Sequence, residues 1–265
     1  MFYTEGLPRK LGQHFLLRDS ILAKLAIAAC GDHTARVIEV GAGHGALTRR
    51  LLPLTGELHA IELDRNLISQ LKAKFAGEPK LHIHEADVLS TDLSQWGAAA
   101  IAGNLPYYIT SPIVDKFLSL DARFTRAVFL MQWEVAERLL AQPGTRAYGY
   151  LTVTSRLVCN LELICKVPPE AFAPPPKVDS GAVCFNRLQS APENLPELRK
   201  FVGRCFAHKR KTLRNNLRPF FGPAIDSMPE AALRAEQLTV EQFRDLHQRL
   251  QHHRLQLDEL TEHRR

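Results

Sequence analysis

No stretch of about 18 consecutive apolar residues occurs in the 265-residue chain, so the sequence offers no membrane-spanning helix. The opening MFYTEGLPRKLGQHF lacks the apolar core that marks a secretory signal. Cysteine is scarce. Cys30, Cys159, Cys165, Cys184 and Cys205 make an odd number and contain no CxxC pair. That argues against a disulfide frame and a zinc site, and it fits a reducing, cytoplasmic setting. The eleven histidines show no metal-ligand spacing, and no metal is expected. No internal repeat or low-complexity tract is visible. What remains is an ordinary globular composition, 45% hydrophobic and 23% charged, at a length suited to one large domain or one large and one small.

The net charge of +6 is unevenly placed. Residues 1–190 hold 20 Lys/Arg against 18 Asp/Glu, residues 191–222 hold 8 against 2, and residues 223–265 hold 6 against 8. A basic excess confined to one short stretch suggests a polyanionic partner. A solvated helix face is the plain alternative.

Apolar runs alternate with helical patterns over residues 36–141. RVIEV (36–40), ELHAIELD (57–64), LHIHEADVL (81–89), AAAIAGNLPYY (98–108) and RAVFLMQ (126–132) read as successive strands, the third and fourth with their exit loops. Helical patterns separate most of them, which predicts a parallel, doubly wound sheet. Two late strands, within LELICKVP and VDSGAVCFNRL, have no helix between them and suggest an antiparallel edge hairpin. LQSAPENLPE (188–197) reads as a linker, and residues 198–265 show helical periodicity only. The expected organisation is an α/β domain over 1–190 and a smaller all-helical domain over 191–265.

Ligands of such sheets bind at the carboxyl ends of the strands. Three features gather there. The loop Gly41-Ala-Gly43-His-Gly45 follows the first strand with GxGxG spacing, not the GxGxxG of a pyrophosphate cradle. Glu62 ends the second strand, where a carboxylate can accept hydrogen bonds from a ribose diol. Asp87 follows the third, where it can accept from an adenine amino group. NAD and S-adenosylmethionine both carry adenosine. The choice between them rests on Asn104-Leu105-Pro106-Tyr107 after the fourth strand, which resembles the [DNS]PPY signature of amino-methyltransferases.

That tetrapeptide suits transfer of a methyl group to adenine N6. The amine lone pair is delocalised into the ring, so the nitrogen must pyramidalise before it attacks. Acceptors aimed at its two hydrogens stabilise that geometry as charge develops. The Asn104 carboxamide and the Leu105 carbonyl, pointed by the fixed φ of Pro106, can supply them. Tyr107 can stack on a base drawn out of its helix. With an already activated methyl donor, alignment matters more than a general base.

The chain also resembles, over nearly its whole length, the ribosomal small-subunit RNA adenine dimethyltransferases. The segments that carry the resemblance are PRKLGQHFL (8–16), EVGAGHGALT (39–48), IELD (61–64), ADVL (86–89), NLPYYIT (104–110), MQWEVAERL (131–139), AFAPPPKVDSGAV (171–183) and FAHKRKTLRNNL (206–217). The resemblance implies a Rossmann-like class I methyltransferase fold that uses S-adenosylmethionine. It implies cofactor contacts from His14, Leu16, Gly41, Glu62, Asp87 and Asn104, and an amine site shaped by Asn104, Pro106 and Tyr107. It implies a second wall for the flipped adenine at Phe172. Its implied substrate is a pair of adjacent adenosines in the 3′-terminal hairpin of 16S ribosomal RNA, within the small subunit. Two departures stand out: Trp133 where a basic residue is common, and His208-Lys209 where glutamine and arginine are common. Trp133 is expected to be a packed aromatic.

At 100° per residue, 206–221 reads as one helix with Phe206, Leu213, Leu217 and Phe220 on a docking stripe. Arg210, Lys211, Arg214 and Arg218 fall on the neighbouring face, expected with Arg9 and Lys10 to meet RNA phosphates. A monomer is expected by default. The alternatives are a large-subunit methylase of the erythromycin-resistance type, a non-catalytic RNA-binding assembly factor, and a DNA adenine methyltransferase. The last is disfavoured because too little length remains for a target-recognition domain.

Overall fold

Aliphatic and β-branched runs without alternation fit a sheet covered on both faces, and here they build one. The computed structural model describes residues 14–31 and 34–262. It divides into two compact units, one holding the chain up to Ala136 with Glu162–Arg187, the other holding Glu137–Leu161 with the chain from Leu188.

In the first unit, β1 (Phe15–Leu16) and α1 (Asp19–Cys30) precede β2 (Thr34–Val40), α2 (Thr48–Leu51), β3 (Thr55–Glu62), α3 (Arg65–Lys74) and β4 (Leu81–Glu85). Next come β5 (Ala100–Asn104), α4 (Thr110–Ser119) and β6 (Arg126–Gln132), and α5 (Trp133–Leu140) leads out of it. The first unit is completed by β7 (Cys159–Val167), β8 (Phe172–Ala173) and β9 (Ser180–Arg187). Strand order is β4-β3-β2-β5-β6-β9-β7, with β2 parallel to both β3 and β5, β5 parallel to β6, and β9 antiparallel to β6. The chain winds from β2 to one side through β3 and β4, then returns to β5 on the other. That reversal opens a crevice beyond the carboxyl ends of β2 and β5.

Val37, Ile38, Leu58, Ile101, Val128 and Leu130 are fully buried along the sheet, and α1 covers one face through Leu22, Leu25, Ala26 and Ala29. Each buried aliphatic side chain contributes roughly 1.5–3 kcal/mol of transfer free energy. Phe117, Phe129 and Phe185 form an edge-to-face trio with centroids 5.6–6.0 Å apart.

The second unit contains α6 (Tyr150–Arg156), α7 (Leu195–Cys205), α8 (Leu213–Phe221) and α9 (Val240–Glu262), joined by short 3-10 turns. Tyr148, Phe201 and Phe243 are fully buried, and Phe206 bridges Tyr148 and Phe243 at 6.4 and 5.7 Å. Among the described residues no helix is long and apolar enough to cross a membrane, and no cluster of His, Cys, Asp and Glu is placed to hold a metal ion.

The structure corrects two local expectations. α7 begins at Leu195, inside the expected linker, with Pro196 in its first turn where a missing N–H costs nothing. The single helix over 206–221 is broken. α7 stops at Cys205 and α8 starts at Leu213, because Asn216 donates to the carbonyls of Cys205 (2.8 Å) and His208 (3.2 Å) and holds a turn between them.

Candidate active site

The crevice is built from loops that only this sheet order brings together. After β2 the chain turns through Gly41, Gly43 and Gly45, all at positive φ (71°, 56° and 74°). A Cβ on Gly43 would lie 3.1 Å from the Phe15 ring, so the loop and the segment over it need glycine there. Glu62 closes β3, and its buried carboxylate accepts the N–H groups of Gly43 (2.9 Å), Leu63 (2.8 Å) and Asp64 (3.0 Å). Three of a carboxylate's roughly four lone-pair directions are thereby occupied, leaving capacity for about one further donor on Oε2.

Asn104 ends β5, and its amide donates to the His14 carbonyl at 2.8 Å. That bond fixes which way the carboxamide faces and leaves its oxygen as an acceptor. The Leu105 N–H is held by the Leu130 carbonyl at 2.9 Å, while the Pro106 carbonyl accepts from Ile109 N and the Thr110 hydroxyl. The Leu105 carbonyl has no partner among the described residues. The Tyr107 hydroxyl meets Ser180 Oγ at 2.7 Å, and the ring lies 5.4 Å from that of His14. Burial pushes the Tyr107 phenol up, against the opposing effect of the Ser180 bond. His14 donates from Nδ1 to the Pro174 carbonyl at 2.7 Å, which fixes its tautomer while the ring is neutral.

A short antiparallel ribbon straps this crevice. β1 pairs with β8, setting Phe15 against Ala173 and Leu16 against Phe172. Phe15 tilts onto the His44 ring at 4.3 Å. The lining thus includes His14, Leu16, Gly41, Glu62, Asn104 and Tyr107. Two expected residues are not among those that line it. Asp87 is exposed past the end of β4, beyond the lining; burial and the charges of Asp87 and Glu62 push the neighbouring Tyr108 phenol up. Phe172, opposite Leu16 on β8, is buried in the same hydrophobic core and is not among the residues that line the crevice.

Sequence reasoning gave no role to Glu39, at the end of β2. It lines the crevice, is 1% exposed and accepts the Thr48 hydroxyl at 2.6 Å. Burial, with the nearby Glu62 charge as a minor contributor, pushes its carboxyl up to about 8. Ser180, which anchors Tyr107, was also missed; its place in VDSG carries no signal without the strand pairing that brings β9 beside β6. Trp133 packs on Gly181, with Lys166 Nζ 4.8 Å above its ring.

The basic segment lies in the second unit. Leu213, Asn216 and Leu217 are its buried face, and Phe220 is exposed, with the Arg204 guanidinium 4.1 Å from its ring. Arg214 and Arg218 both approach Asp226, at 3.0 and 3.8 Å. Lys209 donates to the Arg146 carbonyl at 2.7 Å. The exposed Arg210 and Lys211 side chains have no partner among the described residues. Arg9 and Lys10 fall outside the described residues.

The family model for ribosomal RNA adenine dimethylase matches residues 6–252. The chain is 41% identical over 251 residues to the ribosomal RNA small subunit methyltransferase A of Chromobacterium violaceum, covering 91% of this chain and 94% of that one. It is 39% identical to the protein of the same name from Synechococcus elongatus, covering 89% and 92%. Among solved structures, a dimethyladenosine transferase from Plasmodium falciparum superposes with a TM-score of 0.77 at 29% identity, covering 89% and 96%. The 23S rRNA methyltransferase ErmE does so with a TM-score of 0.71 at 28% identity, covering 89% and 99%. With its nucleotide-end crevice and its N-L-P-Y loop, and matched along nearly all its length, the chain belongs to the ribosomal RNA adenine dimethylase family.

Proposed function

We propose that the protein transfers methyl groups from S-adenosylmethionine to N6 of two adjacent adenosines in the 3′-terminal hairpin of 16S ribosomal RNA, giving N6,N6-dimethyladenosine. It acts as a monomer on small ribosomal subunits in the cytoplasm. The carrying observation is that one crevice joins the Glu62 carboxylate, the glycine loop and the Asn104–Tyr107 acceptors.

The donor set fits the cofactor. Glu62 offers its remaining lone pair to a ribose hydroxyl, and Gly41 and Gly43 admit close backbone approach. His14 and Leu16 cover the site from β1, and Asp87 supplies an acceptor for an adenine amino group at the rim. Bound there, S-adenosylmethionine supplies a methyl group already activated on a sulfonium. The chain's own work is positioning. Asn104 Oδ1 and the Leu105 carbonyl accept the two hydrogens of the substrate amine and stabilise its pyramidal form. The His14 bond orients the Asn104 carboxamide beforehand, and the Leu130 bond holds the backbone at the Leu105 N–H. Pro106 holds the loop, and Tyr107, tethered to Ser180, stacks on the extruded base. In the second unit, Arg210, Lys211, Arg214 and Arg218 contact RNA phosphates.

Calorimetric titration of S-adenosylmethionine and methyl transfer to isolated small and large subunits test this reading together. The expected result is binding that is lost in Glu62→Ala and transfer to small subunits alone. Transfer to large subunits instead would assign the chain the ErmE-like activity.

A further inference from the structure

The amino ends of β2, β5 and β6, the end of antiparallel β9 and the last turn of α1 enclose a second recess, of about 530 Å³, at the pole of the sheet opposite the crevice. Four arginines line it: Arg36, Arg123, Arg126 and Arg187. Among the described residues no carboxylate does. Arg36 pairs with Glu57 (2.6 Å) and donates to the Trp96 carbonyl, and Arg123 pairs with Asp121 (2.7 Å). Arg187 donates to the carbonyls of Phe124 (2.9 Å) and Phe117 (2.8 Å). Arg126 has no carboxylate partner among the described residues; its one bond is from Nη1 to the Ala28 carbonyl, at 3.2 Å.

Bonds to backbone carbonyls explain Arg126 and Arg187 singly. They do not explain four arginines along one half-enclosed space. Each guanidinium has five N–H donors, and Arg126 uses one of them. Like charges gathered in a recess partly closed to water repel, and a bound anion relieves that repulsion. The backbone is adapted to them as well. Gly97 sits at φ +76°, and a Cβ there would lie 3.0 Å from Arg36 Nη1. Forked guanidinium donors match the several oxygens of a phosphate better than a single point charge does.

We propose that this recess binds phosphate, and that the phosphate is one of the RNA backbone, giving the substrate a second anchor remote from the methyl-transfer crevice. The source assigned to the phosphate rests on the reading of the chain as an RNA-modifying enzyme; the recess itself does not. Arg123→Gln/Arg126→Gln in the full chain tests it, with Arg123→Gln alone as the variant that leaves the α1 carbonyl bond intact. S-adenosylmethionine affinity serves as the folding control, and small-subunit binding is measured across a salt series. The expected result is affinity reduced about tenfold for the double variant and several-fold for the single one. The log–log salt slope should become shallower by about one for each phosphate no longer neutralised. A folded double variant with unchanged affinity and slope overturns the proposal. Titration with inorganic phosphate and pyrophosphate, followed by thermal shift, separates the sources. Stabilisation of the wild type by free phosphate, with subunit binding indifferent to the variants, overturns the RNA assignment in favour of a small-molecule phosphate. If the wild type neither binds nor methylates subunits, the enzymatic reading fails, and the phosphate titration still reports on the recess.

Discussion

At the residue scale, the role proposed for Asn104 rests on separate duties for the two ends of its amide. Nδ2 is anchored on the His14 carbonyl, which leaves Oδ1 as the acceptor proposed for the substrate amine. Asn104→Ala is expected to lower kcat on the order of 10²–10³, the cost of removing one preorganised hydrogen-bonding group. Tyr107→Phe, which keeps the ring and loses the Ser180 bond, should fall much less than Tyr107→Ala; single-turnover transfer distinguishes them. Glu39 gives a pH signature. Its folded-state value of about 8 stands above the ordinary 4.5, so the folded protein holds a proton that the unfolded chain releases between those values. The stability this contributes is complete below pH 4.5 and is lost as pH rises through 8. Glu39→Gln keeps an acceptor for Thr48 and carries no titrating proton. Urea unfolding from about pH 5 to 8.5 should show the variant gaining on the wild type as pH rises, by on the order of a few kcal/mol across the range. A constant difference across that range would contradict the buried, protonated carboxyl.

At the scale of elements, the parallel strands were legible because their apolar runs end at glycine, acid or proline. The carboxyl-end position of Glu62 and Asn104 followed from the same reading. The strap was not legible as structure: two-residue strands carry no periodicity, and β1 exists only because β8 lies beside it. The burial of Phe172 follows from the same pairing, which sets it opposite Leu16. The continuous basic helix failed where a side chain overrode periodicity. Asn216 turns inward, and its amide closes the end of α7. Asn216→Ala should destabilise the second unit by about 1–3 kcal/mol, read by urea unfolding, because buried carbonyls lose their donor. Asp226, in the turn after α8, tempers Arg214 and Arg218. Asp226→Asn is expected to tighten small-subunit binding and steepen its salt dependence. Charge reversal at Lys211 and Arg214 should weaken binding and spare cofactor affinity. Unchanged subunit affinity in the reversal variant would remove RNA contact from this helix.

At the scale of the whole molecule, the crevice belongs to the first unit, and the densest run of basic residues, 199–218, belongs to the second. The most direct measurement is transfer of tritiated methyl groups from S-adenosylmethionine to small subunits that lack the modification, followed by nucleoside analysis of the RNA. The expected label is N6,N6-dimethyladenosine at two adjacent positions near the 3′ end, abolished or nearly so in Asn104→Ala. Label on another base or on a ribose, or undiminished dimethylation by Asn104→Ala, would contradict the amine site at the end of β5.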